Sequence, residues 1–357
     1  MLGVLAAFLL TWLVTPWIKK LAVRWGALDK PNGRKVHRRV MPRMGGVAMY
    51  LSFAAVVLAT QPLNNLVLGL LVGATWIIIL GILDDIKGLS AKVKLVGQIA
   101  GAAILVAFGY RVEFITNPFS DGLLMLGKLA VPLTILWVIG VTNAINLIDG
   151  LDGLAAGTSG IAALTMAAVV VSEYTLNGSL GDISWLVISL ALILTGSIAG
   201  FLRYNFHPAQ IFMGDSGSMF LGFTLSALAI AGLTKGATVI SVFIPIVILG
   251  IPICDTLFAI VRRFLNQQPI FQPDKHHLHH CLLEKGLSHK QTVVTIYGIN
   301  VLLGISAVLL TRLNNDQAIM LLIGLAFLVL VGANRLGVTG AGTVTGQVEE
   351  RRTSLPR

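Results

Sequence analysis

The sequence contains few charged residues. Only 12% of its 357 residues are Asp, Glu, Lys or Arg and 55% are hydrophobic, whereas soluble domains carry about 25% charged residues. Long stretches such as 67–83 and 239–254 contain no charge, and they approach the roughly 20 apolar residues that span a bilayer. The composition therefore indicates a polytopic membrane protein and disfavours a large soluble core.

Cysteine is nearly absent, and so is the pattern of a nucleic-acid-binding surface. The two cysteines, Cys254 and Cys281, provide neither a disulfide framework nor a metal-binding spacing. The net charge is +10, but no basic–aromatic patch accompanies it, so we expect no nucleic-acid partner. The positive charge suits the anionic headgroups of a membrane surface.

The first apolar segment, 1–18, lacks the features of a cleaved signal peptide. No basic region precedes it and no small-residue cleavage site follows it. Its positive charges come afterwards, at Lys19, Lys20 and Arg24. We therefore expect an uncleaved first span with the N-terminus outside.

Apolar segments recur along the whole chain and predict about eleven transmembrane helices. Helices are required because isolated strands would leave backbone groups unpaired in lipid. We expect one transmembrane domain, 1–334, and a short, flexible cytoplasmic tail, 335–357. The predicted spans are 2–18, 44–60, 66–83, 95–109, 129–143, 154–173, 184–201, 217–233, 237–261, 291–311 and 317–334.

The positive charges predict which loops face the cytoplasm. With the N-terminus outside, 22 of the 26 Lys and Arg residues fall in the inside segments. Cytoplasmic loops carry such an excess of Lys and Arg. Four inside segments also hold tight polar clusters: 83–98, 143–157, 203–222 and 274–291. Any one of them alone is as consistent with a solvated loop or helix cap, but four together favour a functional site.

The first cluster begins with two adjacent carboxylates, Asp84 and Asp85. Crowded like charges favour a cation or a shared proton. Lys87, Lys94 and Gln98 follow at spacings that share one face if the helix continues. Cations beside an acidic pair suggest phosphate contacts next to a metal site.

The second and third clusters add further carboxylates. Asn146, Asp149 and Asp152 recur every third residue, which places them on one side if that segment is helical. Asp215 lies in "MGDSGS" at the predicted start of the eighth span. Backbone N–H groups at a helix start favour an anion.

The fourth cluster, "HHLHH" at 276–280, raises zinc as an alternative, because histidine-rich tracts bind metals. No cysteine pair lies nearby, and the accompanying carboxylates favour hard oxygen coordination. Mg²⁺ prefers one or two carboxylates together with water and substrate phosphates. We therefore favour Mg²⁺, with the imidazoles hydrogen-bonding to phosphate.

These motifs resemble those of the polyprenyl-phosphate N-acetylhexosamine-1-phosphate transferase family, and the resemblance covers nearly the whole chain. The matching motifs are Asp84-Asp85-x-Lys87, Asn146-x-x-Asp149-Gly150-x-Asp152-Gly153-Leu154-Ala155, Asn205 with Phe212–Ser218, His277-x-His279-His280 and the first-loop "DKPNGRKVHRRVMPRMGG".

The resemblance implies a multi-pass enzyme of the cell membrane whose active site faces the cytoplasm. The implied reaction moves a HexNAc-1-phosphate from a UDP-sugar to undecaprenyl or another polyprenyl phosphate and releases UMP. It requires Mg²⁺, for which Mn²⁺ is an expected substitute. The implied product primes teichoic acid, O-antigen or a similar surface glycan, and a homodimer is compatible with the family.

Within the family, "PNGRKVH" and the interrupted "HLHH" favour the UDP-GlcNAc branch. The phospho-MurNAc-pentapeptide transferases of peptidoglycan synthesis are the alternative, but their three histidines are usually consecutive, and Leu278 interrupts the run here. The sequence leaves open whether an Asp attacks covalently or the lipid phosphate attacks directly.

The resemblance also implies roles for individual residues. Asp84 is expected to deprotonate or orient the lipid phosphate, and Phe212 to stack on uracil. The implied catalytic residues are Asp84, Asp85, Asp149, His279 and His280; the substrate-binding residues are Lys87, Lys94, Asn146, Asp152, Asn205, Phe212 and His277; the metal ligands are Asp215 and Asp149.

A membrane transporter is the alternative from another functional class, since transporters also use intramembrane charges and broken helices. Their sites lie near the bilayer midplane, and here only the ninth span has an interior acid, Asp255. We interpret Asp255 as a structural partner of Arg262, and His207 and His289 as ordinary loop histidines.

Overall fold

The computed structural model is almost entirely helical and describes residues 2–29, 40–116, 123–178, 181–232, 243–267 and 276–338. Its helices, in chain order, are α1 Leu2–Arg24, α2 Gly45–Thr60, α3 Asn65–Lys87, α4 Ala91–Ala107, α5 Ala130–Leu147, α6 Leu154–Asn177, α7 Asp182–Asn205, α8 Gly214–Gly232, α9 Phe243–Ile248, α10 Gly250–Leu265, α11 Leu278–Glu284, α12 His289–Leu310 and α13 Asn315–Leu336. A short 3₁₀ turn, Gly127–Leu129, precedes α5.

Four very short strands form two antiparallel hairpins. Strand β1, Leu28–Asp29, pairs with β2, Met41–Pro42, and β3, Phe114–Thr116, pairs with β4, Leu123–Met125. The first hairpin leads directly into α2 and lies beside the functional site. The fold is otherwise helical, as the sequence predicted.

The long apolar helices confirm a helical membrane protein. Over the described residues, seven helical segments have the length and apolar composition needed to cross a membrane, and α2 is a shorter apolar helix. Every predicted span overlaps one of the helices. The count of eleven spans and the outside N-terminus stay predictions.

The predicted ninth span is divided into two helices. Helix α9 ends at Ile248 and α10 begins at Gly250, with Pro245 and Pro252 on either side of the junction. Proline lacks an N–H and interrupts a regular helix, so the break has a local cause.

Some of the predictions lie outside the described residues. These are the part of the first loop that contains His37, the first part of the predicted ninth span, Asp274 and most of the predicted tail. Helix α13 ends at Leu336, close to the predicted start of that tail.

Helix α8 forms the centre of the molecule. From Ser216 to Ala231 all of its residues are buried, and it packs against α2, α3, α5, α6 and α7. A helix surrounded in this way is hydrophobic on all sides. Its polar start therefore comes to lie where several neighbouring helices end.

The close approach of α3 to the start of α8 depends on Gly81. A Cβ atom at this position would lie 2.3 Å from the Cα of Ser216, so only glycine fits between the two backbones. Small residues allow such contacts between transmembrane helices. Because Asp84 and Asp85 follow Gly81 within about one turn, this packing brings both carboxylates to the first turn of α8.

Candidate active site

A cavity of about 430 Å³ opens where α5, α7 and α12 meet the start of α8. Residues from the second, third and fourth polar clusters surround it, and the first cluster is connected to it through the contacts that Asp85 and Lys94 make with Asp215. The lining residues are Asp29, Arg43, Asn146, Asp149, Gly150, Leu151, Asp152, Asn205, His207, Phe212, Gly214, Asp215, His280 and His289.

Asp85 is buried beneath the site and holds the start of α8. Its Oδ1 accepts a hydrogen bond from the backbone N–H of Asp215 (2.9 Å), and its Oδ2 accepts from the N–H (3.1 Å) and hydroxyl (2.7 Å) of Ser216. A carboxylate at a helix N-terminus satisfies N–H groups that have no partner inside the helix. Both oxygens are thus engaged in positioning the residue predicted to bind metal.

Asp84, Lys94 and Asp215 form a charged group beside this cap. The Lys94 Nζ lies 2.8 Å from Asp84 Oδ2 and 3.9 Å from Asp215 Oδ2. The second oxygen of Asp84 accepts the backbone N–H of Leu89 at 2.6 Å, where the chain turns from α3 into α4. One cation therefore bridges two of the predicted carboxylates.

The predicted shared face of Lys87, Lys94 and Gln98 does not form. Lys87 ends α3 and is exposed, and it is not among the described residues that line the cavity. Gln98 is buried, and its Oε1 accepts a hydrogen bond from Asn143 Nδ2 at 2.7 Å. The turn between α3 and α4 separates Lys87 from the other two, so the condition of one continuous helix is not met.

Asn146, predicted to contact the nucleotide, orients Asp215. Its Nδ2 donates to Asp215 Oδ1 at 2.5 Å and also contacts Ser218 Oγ at 2.7 Å. These bonds fix one oxygen of Asp215 and leave the other on the side of Lys94. Asn146 still lines the cavity, so its carbonyl oxygen belongs to the same polar wall.

Asp149 lies in the turn between α5 and α6, next to the other carboxylates. None of the described residues donates a hydrogen bond to its side chain. Burial raises the pKa of Asp149 well above its usual value, and the negative charges of Asp215, Asp85 and Asp152 raise it further. Carboxylates crowded in this way bind a cation that offsets their repulsion.

Asp152 contacts two histidines that the sequence analysis treated as ordinary. Its Oδ2 lies 2.8 Å from His207 Nδ1 and accepts the N–H of Ala209 at 3.1 Å. The rings of His207 and His289 stack with centroids 4.3 Å apart. His207 follows α7 and His289 begins α12, far apart in sequence, so no local spacing indicated that they meet.

Asn205, predicted to bind the nucleotide, also joins two loops. Its Oδ1 accepts the N–H of Gly153 at 3.1 Å, and its Nδ2 donates to the carbonyl of Ile211 at 3.0 Å. It lines the cavity but is buried, with 3% of its surface exposed. Its main role in the structure is to hold the Asp149–Gly153 turn against the segment before α8.

His277 is buried and paired with Asp255. Its Nδ1 lies 2.8 Å from Asp255 Oδ2, and Asp255 Oδ1 accepts the N–H of Leu278 at 2.8 Å. The intramembrane carboxylate thus anchors the first residues of α11. His277 is not among the described residues that line the cavity. It holds the start of α11 in place through Asp255.

His279 and His280 differ in their surroundings. His280 lines the cavity, whereas His279 is buried and its Nε2 has no hydrogen-bond partner among the described residues. Burial, reinforced by His280, lowers the pKa of His279 to about 3, so its ring is neutral. A Cβ at Gly150 would lie 2.4 Å from that Nε2; glycine therefore lets the ring reach the Asp149 turn.

The hairpin formed by β1 and β2 contributes Asp29 and Arg43, which the sequence analysis did not single out. Arg43 lines the cavity. The pKa of Asp215 is lowered, against the effect of burial, mainly by its contact with Asp84 and the charge of Lys94, and less by the hydrogen bond from Asn146 and the charge of Arg43. The adjoining backbone is tied to Phe212: its N–H donates to Pro42 (2.9 Å) and its carbonyl accepts from Gly45 (3.0 Å). Arg43 was one of many basic residues in that loop, and its partner is distant in sequence.

The arrangement suits a phosphoryl-transfer site. Asp149 and Asp215 offer oxygen ligands of the kind that Mg²⁺ prefers, and the crowding around Asp149 favours a bound cation. Lys94, Arg43 and His280 supply positive or hydrogen-bonding groups around the same carboxylates. Phosphoryl transfer depends mainly on positioning and charge neutralisation, which these residues can provide.

Comparison with known proteins gives a consistent result. The family model for glycosyl transferase family 4 matches residues 67–233. The chain is 45% identical to the probable undecaprenyl-phosphate N-acetylglucosaminyl 1-phosphate transferase of Bacillus subtilis (strain 168), over 98% of this chain and 94% of the relative.

Two further relatives come from different branches. A decaprenyl-phosphate N-acetylglucosaminephosphotransferase of Mycolicibacterium smegmatis is 37% identical, over 82% of this chain and 77% of the relative. A phospho-N-acetylmuramoyl-pentapeptide-transferase of Shouchella clausii is 33% identical, over 85% of this chain and 93% of the relative. Similarity of this extent, over a chain that carries the family's motifs around one cavity, shows that the protein belongs to glycosyl transferase family 4.

Proposed function

We propose that this protein transfers N-acetylglucosamine 1-phosphate from a UDP-sugar to undecaprenyl or another polyprenyl phosphate and releases UMP. The observation that carries the proposal is that Asp149 and Asp215, from separate segments, line one cavity at the ends of apolar helices, with Lys94 beside Asp215. A lipid-borne acceptor and a soluble donor can meet at such a position. The relatives named for this reaction support the assignment.

We infer that the reaction depends on Mg²⁺, with Mn²⁺ as a substitute. Asp215 and Asp149 would hold the ion, since both present carboxylate oxygens to the cavity. When bound, it would neutralise charge on the donor diphosphate. The supporting observation is the raised pKa of Asp149 beside Asp215, Asp85 and Asp152.

The chain's own residues supply the remaining chemistry. Lys94 and Arg43 place positive charge beside Asp215, where the phosphates of both substrates would meet. Asp84 is held by Lys94 and the Leu89 N–H, in a position to orient the lipid phosphate. His280 and Phe212 line other walls of the cavity, for contacts with phosphate and with the uracil ring.

The GlcNAc branch is favoured over the MurNAc-pentapeptide branch. The chain is 45% and 37% identical to two N-acetylglucosamine phosphate transferases and 33% identical to a MurNAc-pentapeptide enzyme. The run of histidines that Leu278 interrupts favours the same branch. The downstream glycan, teichoic acid, O-antigen or a similar polymer, and a homodimer stay predictions.

We also propose that the cavity faces the cytoplasm of the cell membrane, in a chain of about eleven spans with its N-terminus outside. The cavity lies where α5 and α7 end and α6 and α8 begin. These four helix ends therefore lie on the same side of the membrane. The loops predicted to lie on that side hold 22 of the 26 Lys and Arg residues. A site at helix ends also disfavours a transporter, whose substrate site lies near the midplane.

Sidedness is tested by cysteine labelling in intact cells. A membrane-impermeant maleimide should label Leu63→Cys, which lies between α2 and α3, and should not label Lys92→Cys at the start of α4. Both positions are exposed, and a background with Cys254 and Cys281 replaced by serine provides the control. Labelling of Lys92→Cys alone would invert the topology and exclude a cytoplasmic donor.

Two aspartates of one turn should give different kinetic defects. Asp149→Asn should lower kcat with little change in KM for the UDP-sugar, because charge at the reacting centre matters most in the transition state. Asp152→Asn should raise KM more than it lowers kcat, because Asp152 is proposed to bind the donor substrate and not to act at the reacting centre. Steady-state kinetics of both variants provides a matched comparison; near-wild-type values in both would reduce the turn to a structural element.

A further inference from the structure

A second cluster of metal-binding side chains lies at the edge of the cavity. Asp152 comes from the turn between α5 and α6, His207 follows α7, and His289 is the first residue of α12. One ligand atom from each lies within 4.8 Å of the other two. All three residues line the cavity.

The three side chains are already held near one another. Asp152 Oδ2 lies 2.8 Å from His207 Nδ1 and is fixed by the Ala209 N–H at 3.1 Å. The rings of His207 and His289 stack at 4.3 Å with an interplanar angle of 23°. Asp152 and His289 are half-buried, whereas His207 is exposed and has room to adjust its ring.

The donor set differs from that of the proposed Mg²⁺ site. Zinc binds His nitrogen at about 2.0–2.1 Å and carboxylate oxygen at about 2.0–2.2 Å, which places tetrahedral ligands about 3.3 Å apart. The three ligand atoms lie within 4.8 Å of one another, so small movements of the side chains would bring them to that spacing. Two imidazoles and one carboxylate favour zinc over Mg²⁺, which prefers oxygen ligands.

We propose that Asp152, His207 and His289 bind a single zinc ion, or a similar borderline transition metal, and that this ion blocks the donor pocket. A three-ligand site leaves the fourth position for water or another ligand. The "HHLHH" run, which raised zinc from the sequence, is arranged differently, since His277 pairs with Asp255 and His279 packs against Gly150. The blocking role rests on the proposed function, because Asp152 also borders the donor's space.

Zinc binding is tested on the purified full-length protein in detergent. The chelator-treated protein is titrated with ZnCl₂ in millimolar Mg²⁺, and bound zinc is measured by elemental analysis after desalting. We expect one zinc per chain, with an affinity at least about 100-fold lower in His207→Gln/His289→Gln, since changes even to outer-shell partners cost about 10–100-fold. The single variant His289→Gln and a size-exclusion profile keep the test valid if the double variant folds poorly.

The control is His276→Gln, which alters the histidine run and leaves the proposed ligands intact. Unchanged zinc binding in this variant supports the proposal. Zinc binding that persists in His207→Gln/His289→Gln, or that disappears in His276→Gln, overturns it. This titration needs no turnover, so it stands apart from any failure of the proposed transferase reaction.

The blocking role is tested by kinetics of the active enzyme. Zinc should inhibit competitively with the UDP-sugar, and excess Mg²⁺ should not reverse the inhibition. In His289→Gln the inhibitory zinc concentration should rise at least about 10-fold. Inhibition that Mg²⁺ reverses would place zinc at Asp149 and Asp215 and overturn the blocking role.

Discussion

Asp215→Asn should abolish turnover while leaving the protein folded and inserted. Asn146 Nδ2 donates a hydrogen bond to the Asp215 carboxylate, and the Lys94 ammonium lies near its other oxygen. The substitution removes the charge of the Asp215 side chain without changing its size. Loss of one key electrostatic group at a reacting centre costs about 10²–10³ in rate. Because Asp215 is proposed to bind the metal as well, we expect a loss at the upper end of this range.

The matched control is Asp182→Asn. Asp182 also occupies the first turn of its helix, α7, but at the opposite end of the bundle from the cavity. It should retain normal kcat and KM, and both variants should give wild-type size-exclusion profiles in detergent. If Asp215→Asn keeps more than about a tenth of the wild-type rate, the metal role assigned to it is wrong.

Asp85→Asn should also remove activity, but by disturbing the fold at the site. The Asp85 carboxylate accepts three hydrogen bonds from Asp215 and Ser216, and an amide directs N–H groups toward some of those donors. Each buried donor left without a partner costs about 1–3 kcal/mol. We therefore expect a clear loss of thermal stability in detergent together with a large loss of turnover.

Graded substitution separates this role from direct catalysis. Ser216→Ala removes one of the three donors, so it should lower stability and activity less than Asp85→Asn does. Asp215→Asn should leave stability near wild type. If Asp85→Asn were as stable as the wild type yet inactive, Asp85 would act on the reacting groups, and its role as a helix cap would be secondary.

The sequence predicted much of the architecture because apolar length is a local property. The predicted spans overlap the helices, and the polar clusters that were expected to meet do meet at one cavity. The division of the ninth span followed from nearby prolines, but the run of apolar residues concealed it.

The roles inside the site depended on tertiary contacts that spacing alone does not encode. Asp84 and Asp85 are identical neighbours in sequence, yet one binds Lys94 and the other caps α8. Asn205 and His277 belong to the family motifs, and their contacts also hold loops in place. His207 and His289 had no signal at all, because each is an isolated histidine until the fold stacks their rings.

The central claim is most directly tested by lipid-extractable radiolabel. Membranes that contain the full-length protein are incubated with UDP-GlcNAc labelled in the β-phosphate, polyprenyl phosphate and Mg²⁺. We expect label to enter the organic phase in equal amount to the UMP released, to depend on the added lipid, and to disappear with chelator or in Asp215→Asn. Release of labelled inorganic phosphate, or an organic phase without label at wild-type protein levels, would contradict the assignment.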